Sequence, residues 1–164
     1  MDLDGQIYDR NDFGQLLIRR SYNERNEGES FVIRAYLMGH IREYDRLVFG
    51  KRVGTGVEPD PTHLARVQAN TVFSTKLRID ILGWRGNQPV IIEVKQRITP
   101  ACLGQILTYK HHFVEENPDV PEPELIVVGR EAVDDAVVAL QANSVTVYVY
   151  PDAVAPLSHS IDGA

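Results

Sequence analysis

Cysteine is almost absent. Cys102 stands alone, which excludes an internal disulfide and leaves no cysteine set for zinc. Long apolar runs are missing too: nothing approaches the roughly 18 residues of a membrane span, and no basic-then-apolar leader opens the chain. Internal repeats and low-complexity tracts are lacking. These absences lead us to expect a protein without membrane attachment, in a reducing compartment such as the cytoplasm. Positive charge is scarce, with 17 Lys and Arg against 23 Asp and Glu and a formal net charge of −6. That balance argues against a strong non-specific nucleic-acid binder and for weak or transient contact. Locally the picture differs, because Lys76, Arg78, Arg85, Lys95, Arg97 and Lys110 all fall close to one stretch of sequence. The 164 residues, 43% hydrophobic and 24% charged, suit a single globular domain.

That stretch is 77–95, LRIDILGWRGNQPVIIEVK. Two strand-like runs flank Gly86-Asn87, and a two-residue loop beginning with Gly is a favoured hairpin connection. With those two residues as the turn, Arg85 faces Gln88 and Asp80 falls opposite Glu93. Asp80, Glu93 and Lys95 then project from one side, while Leu77, Ile79, Ile81, Val90, Ile92 and Val94 form an apolar reverse side. A one-residue slip would destroy both arrangements. Neighbouring carboxylates repel unless positive charge lies between them, and Lys95 or a hard divalent cation could supply it. A cation held there polarises phosphoryl oxygens and acidifies water. The plain alternative is a surface hairpin with a solvated cross-strand ion network.

Asp80, then Glu93-Val94-Lys95 beyond a hairpin turn, resembles the metal-binding core of the PD-(D/E)xK nuclease superfamily. Gln105-Ile106-Leu107-Thr108-Tyr109 resembles the Q-x-x-x-Y signature of its RecB-like branch. Ile79 stands where the name-giving proline would be, a proline that many members lack. The chain also has the general look of small phage-encoded nuclease-like proteins. The resemblance implies a restriction-endonuclease-like core and a Mg²⁺- or Mn²⁺-dependent nuclease hydrolysing DNA phosphodiester bonds. By the same resemblance Asp80, Glu93 and the Val94 carbonyl hold the metal. Lys95 serves the attacking water, Gln105 and Tyr109 support the site, and Glu29 adds a further metal contact. Read without the family, Glu29 is a first-turn acid favoured by the helix dipole. The rival function is a nuclease-fold interaction component of a larger assembly, such as a phage particle, with little or no activity.

Taken in order, residues 1–23 read as a polar N-terminal arm with an apolar patch at Phe13 and Leu16 to Ile18. A helix is expected from Glu29 to about Ile41, a strand over 44–53, and a short helix over 62–69. After the hairpin, Thr99-Pro100 opens a helix to about Glu116, with a core stripe of Leu103, Ile106, Leu107, Phe113 and Val114. A strand at 125–128, a helix at 131–142 and a strand at 145–150 complete an α/β domain over 24–150, a mixed central sheet flanked by helices. Residues 151–164 read as a tail. One or both termini are expected to dock on a protein partner or a symmetry mate.

Overall fold

The computed structural model describes residues 5–19, 22 and 26–153. Six strands form one mixed sheet in the order β1 (Gln6–Asp9), β2 (Arg46–Val53), β3 (Leu77–Arg85), β4 (Gln88–Ile98), β5 (Glu124–Ala132) and β6 (Val145–Val149). The first four pair antiparallel and the last three pair parallel. Parallel neighbours need a crossover, and helices α4 (Ala101–Glu116) and α5 (Asp134–Ala142) provide the two. With α1 (Phe13–Ile18), α2 (Glu27–His40) and α3 (Ala65–Thr75), the described residues form an α/β protein whose six-stranded sheet packs against five helices. Among the described residues no helix is long and apolar enough to cross a membrane.

The sheet is covered on both faces. Val32, Ile33, Tyr36 and Leu37 of α2 pack with Leu47, Phe49, Ile81, Val90, Ile92 and Val94. On the opposite face Cys102, Ile106, Tyr109 and Phe113 of α4 pack with Val48, Leu82, Trp84, Ile91 and Val127. Gly86 takes the φ of +59° that the first position of the hairpin turn requires. The pairing runs as expected from Arg85 and Gln88 to Ile81 and Ile92.

The apolar reverse side expected of the hairpin does not survive intact. Ile81 belongs to the α2 face, but Ile79 belongs to the α4 face, and Leu77 is 39% exposed. The same crossing occurs on β2, where Phe49 and Val53 lie on opposite faces. Between them sits Gly50, which the β2–β3 register sets against Asp80 and which has φ +74°. A left-handed residue inside a strand turns the backbone out of its regular alternation, here without an inserted residue, since the pairing keeps one register on both sides of it. Closer to the turn, Gly83 leaves room for Tyr44, since a Cβ there would stand 2.5 Å from the Tyr44 ring.

Residues 6–18, expected to be a surface arm, add an edge strand and a short helix whose Tyr8, Phe13 and Leu16 enter this domain's own core. The short helix expected over 62–69 lies instead at Ala65–Thr75, and Asp60 turns back onto Thr62 rather than capping it. Strand β5 runs on to Ala132, so the following helix starts at Asp134. Most of the expected docking tail, residues 154–164, falls outside the described residues.

Candidate active site

The antiparallel ladder between β3 and β4 stops at Ile81 and Ile92, one pair short of Asp80 and Glu93. At that point a side chain takes over from the backbone: Val94 donates its N–H to Asp80 Oδ2 at 2.8 Å. Asp80 is 4% exposed and Glu93 is 0% exposed. The solvated surface network that the sequence left open is therefore excluded. Glu93 lies beside Val127 of β5, on the face covered by α4.

Lys95, two residues on, brings its Nζ to 2.5 Å from Glu93 Oε1. This is an ion pair by distance, and among the described residues neither Glu93 carboxyl oxygen meets the full geometry of a hydrogen bond. Burial and the neighbouring Asp80 charge push the Glu93 carboxyl up to about 8, against the pull of Lys95. Burial acts to lower Lys95, but the charges of Glu93 and Asp80 outweigh it and raise its pKa above the ordinary ammonium value. The pair therefore gives up its Glu93 charge at a higher pH than an ordinary glutamate would, while Lys95 stays charged. Lys95 is the partly open member, with 28% of its side chain exposed.

Helix α4 closes the site. Its buried stripe is Cys102, Ile106, Tyr109 and Phe113, not the expected Leu107 and Val114; Leu107 faces solvent. That rotation turns Tyr109 inward, where its hydroxyl accepts a 2.6 Å bond from Gln105 Nε2. Burial first, then the Glu93 charge, pushes the Tyr109 hydroxyl up to about 12, so it stays protonated. Asp80 and Lys95 also act on that hydroxyl, which sets all five expected residues in one electrostatic neighbourhood.

Glu29 occupies the first turn of α2, with its backbone N–H capped by Asn26 Oδ1 at 2.9 Å. The same Asn26 oxygen accepts from Gln96 Nε2 at 2.8 Å, which ties the start of α2 to β4 one residue beyond Lys95. Among the described residues no set of three or more His, Cys, Asp or Glu is grouped to hold a metal.

The basic cluster expected from sequence divides in two. Arg85 pairs with Glu43 and Glu124, and Lys110 pairs with Glu122, all at the hairpin-turn end of the sheet. Lys76, Arg78, Lys95 and Arg97 remain at the carboxylate end. There the buried Lys51 and the partly exposed Arg52 of β2 join them, opposite Ile79 and Arg78. Sequence reasoning also missed that Cys102, a buried free thiol on α4, packs on the same face as Tyr109. Its position three residues before Gln105 on one helix was the available signal.

Comparison with protein-family models, with curated proteins and with solved structures found no match to this chain.

Proposed function

We propose that this chain is a metal-dependent phosphodiesterase of the PD-(D/E)xK type acting on DNA, built on a restriction-endonuclease-like core. The observation that carries the reading is the state of Glu93: a fully buried carboxyl, with no hydrogen bond to either oxygen, beside Asp80 and Lys95. Burying a carboxyl against a second carboxylate is unfavourable even with an ammonium beside it, so such a group persists where something else is served by it. Two carboxylates offer hard oxygen donors suited to Mg²⁺ or Mn²⁺. The orphaned oxygens of Glu93 fit that role, with Asp80 as second donor. Val94 donates to Asp80 on the β3 side, and in an antiparallel ladder a residue's N–H and C=O face the same neighbour. Its carbonyl is therefore available to the same ion. Glu29, on the helix end tied to β4, is a further candidate.

The bound cation would polarise a phosphoryl oxygen and lower the pKa of water. The protein's own groups do the rest. Lys95, held protonated, offers a cation and donors to the attacking water and to negative charge developing on the phosphate, rather than acting as a base. Tyr109, fixed by Gln105, covers the carboxylates and keeps bulk water from them. The antiparallel β2–β3–β4 meander, followed by a helical crossover to a parallel strand, agrees with the core that the family resemblance implies.

The test is cleavage of plasmid and single-stranded DNA with Mg²⁺ or Mn²⁺. Activity should vanish in Asp80→Ala, Glu93→Ala and Lys95→Ala while circular dichroism reports an unchanged fold. A parent protein inert toward both substrates with both metals would defeat the proposal and leave the non-catalytic assembly component.

A further inference from the structure

Helix α3 buries none of its eleven side chains. Val67 and Phe73 on it, Leu64 before it and Leu77 after it are all exposed large hydrophobics. The Phe73 ring is 46% exposed, and Arg52 Cζ lies 4.9 Å from its centroid. Arg52 also donates through Nη1 to the carbonyls of Ser74 and Lys76 at 2.9 and 3.2 Å, fastening the end of α3 to β2. Arg52 is the cross-strand partner of Arg78, and Arg78 is two residues, about 7 Å of strand, from Asp80. The open aromatic ring therefore stands at the same end of the sheet as the buried carboxylates, a few residues along β2 and β3 from them.

Charge is biased at the same end. The chain carries 23 acidic residues, yet between Asp45 and Asp80 the only ones are Glu58 and Asp60. The same interval holds Arg52, Arg66, Lys76 and Arg78 on or beside α3, besides the buried Lys51 and Arg46, which lies over Trp84 at the turn end. From outside the interval Glu116 reaches the end of β2, accepting from Gly54 N–H. An exposed aromatic ring set in a basic, acid-poor surface suits a ligand with flat apolar faces strung on negative charges. Aromatic side chains stack on unpaired bases whatever their sequence, while flanking cations hold the phosphates. A duplex offers less, because its bases already stack on one another.

We propose that α3 and the adjoining end of β2 and β3 form a landing platform for a single-stranded polynucleotide, with Phe73 stacking on a base and Arg52 and Lys76 holding its phosphates. As a route to cleavage this rests on the nuclease reading; as a binding site it stands apart from it.

Anisotropy of a fluorescein-labelled oligothymidylate, measured in EDTA with the full chain, reads binding without cleavage. The single strand should bind more tightly than a matched duplex. Phe73→Ala should weaken it about 5- to 100-fold and Phe73→Tyr should retain it, the range expected for loss of one base stack. Lys76→Gln should flatten the salt dependence, lowering the slope of log K against log salt by about 0.7. Because no α3 side chain is buried, Phe73→Ala should unfold at the parent's temperature, so a loss of binding is not a loss of fold. Equal binding by Phe73→Ala and parent would overturn the platform, and so would equal affinity for duplex and single strand. Concentration-dependent self-association, abolished by Phe73→Ala and with no oligonucleotide bound, would overturn it in favour of a second copy of this chain on α3. Single-strand binding without metal-dependent cleavage would sink the nuclease reading and leave the platform standing. Metal-dependent duplex cleavage without single-strand binding would do the reverse.

Discussion

Between pH 4.5, the ordinary value of a glutamate, and about 8 the folded chain keeps a proton on Glu93 that the unfolded chain releases. Stability from this group is therefore complete below about pH 4.5 and drains away as pH rises towards 8. Each unit of separation is worth about 1.4 kcal/mol, so the full effect is on the order of a few kcal/mol. Lys95 runs the other way: its raised value adds stability that persists until pH climbs past the ordinary ammonium range. Glu93→Gln, which keeps the shape and cannot ionise, should match the parent at pH 5 and exceed it at pH 8 in denaturant unfolding. An identical decline in both proteins across that interval would show that Glu93 does not carry the dependence. The same variant should lose all cleavage, so a gain in stability would accompany a loss of function.

Among the elements, the hairpin and the α4 crossover were legible in the sequence because their signals are local: a Gly-X turn, alternating Ile and Val, and a Thr-Pro helix start. These were enough to bring Asp80, Glu93 and Lys95 together and to set Gln105 and Tyr109 above them. Three features were not legible, each for a non-local reason. β1 is four residues long and only Tyr8 of its side chains is buried, so its periodicity is too brief to read. The face of α4 is decided by what the sheet offers: Tyr109 goes inward over the carboxylates and Leu107, the greasier residue, stays outside. The crossing at Gly50 and Asp80 depends on a positive φ on a different strand. Gly83 allows a specific test of how β3 is packed. Gly83→Ala drives a methyl into the fully buried Tyr44 ring, whose hydroxyl lies 2.5 Å from that of Tyr36. Overpacking of this kind costs about 1–3 kcal/mol, or a fall in melting temperature of about 2–10 °C. Melting at the parent temperature would mean that Tyr44 has room to move aside.

At the scale of the whole molecule the sheet has two electrical ends. Arg85 and Lys110 pair with Glu43, Glu124 and Glu122 at the turn, while Lys51, Arg52, Arg78 and Lys95 gather at the end that holds Asp80 and Glu93. A divalent ion bound only by the folded chain should stabilise all of it. At 100 times its dissociation constant the gain is about 2.7 kcal/mol, a rise in melting temperature of about 5–10 °C at pH 8. The rise should shrink at pH 6, where Glu93 holds its proton, and vanish in Asp80→Asn; a rise that persists in that variant would locate the ion elsewhere. Stability is not spread evenly through this architecture, and α3 marks its lower limit. Eleven residues is short for a helix to stand on local bonds, its N-terminus lacks a side-chain cap, and no side chain of its own anchors it in the core. Its amide hydrogens should therefore exchange with deuterium through local opening, long before those of Ile81, Leu82, Ile91 and Ile92, whose exchange should await global unfolding. The segment that joins β2 to β3 would then fluctuate between coil and helix while the sheet beneath it stays closed, a foldon boundary drawn just outside the carboxylates.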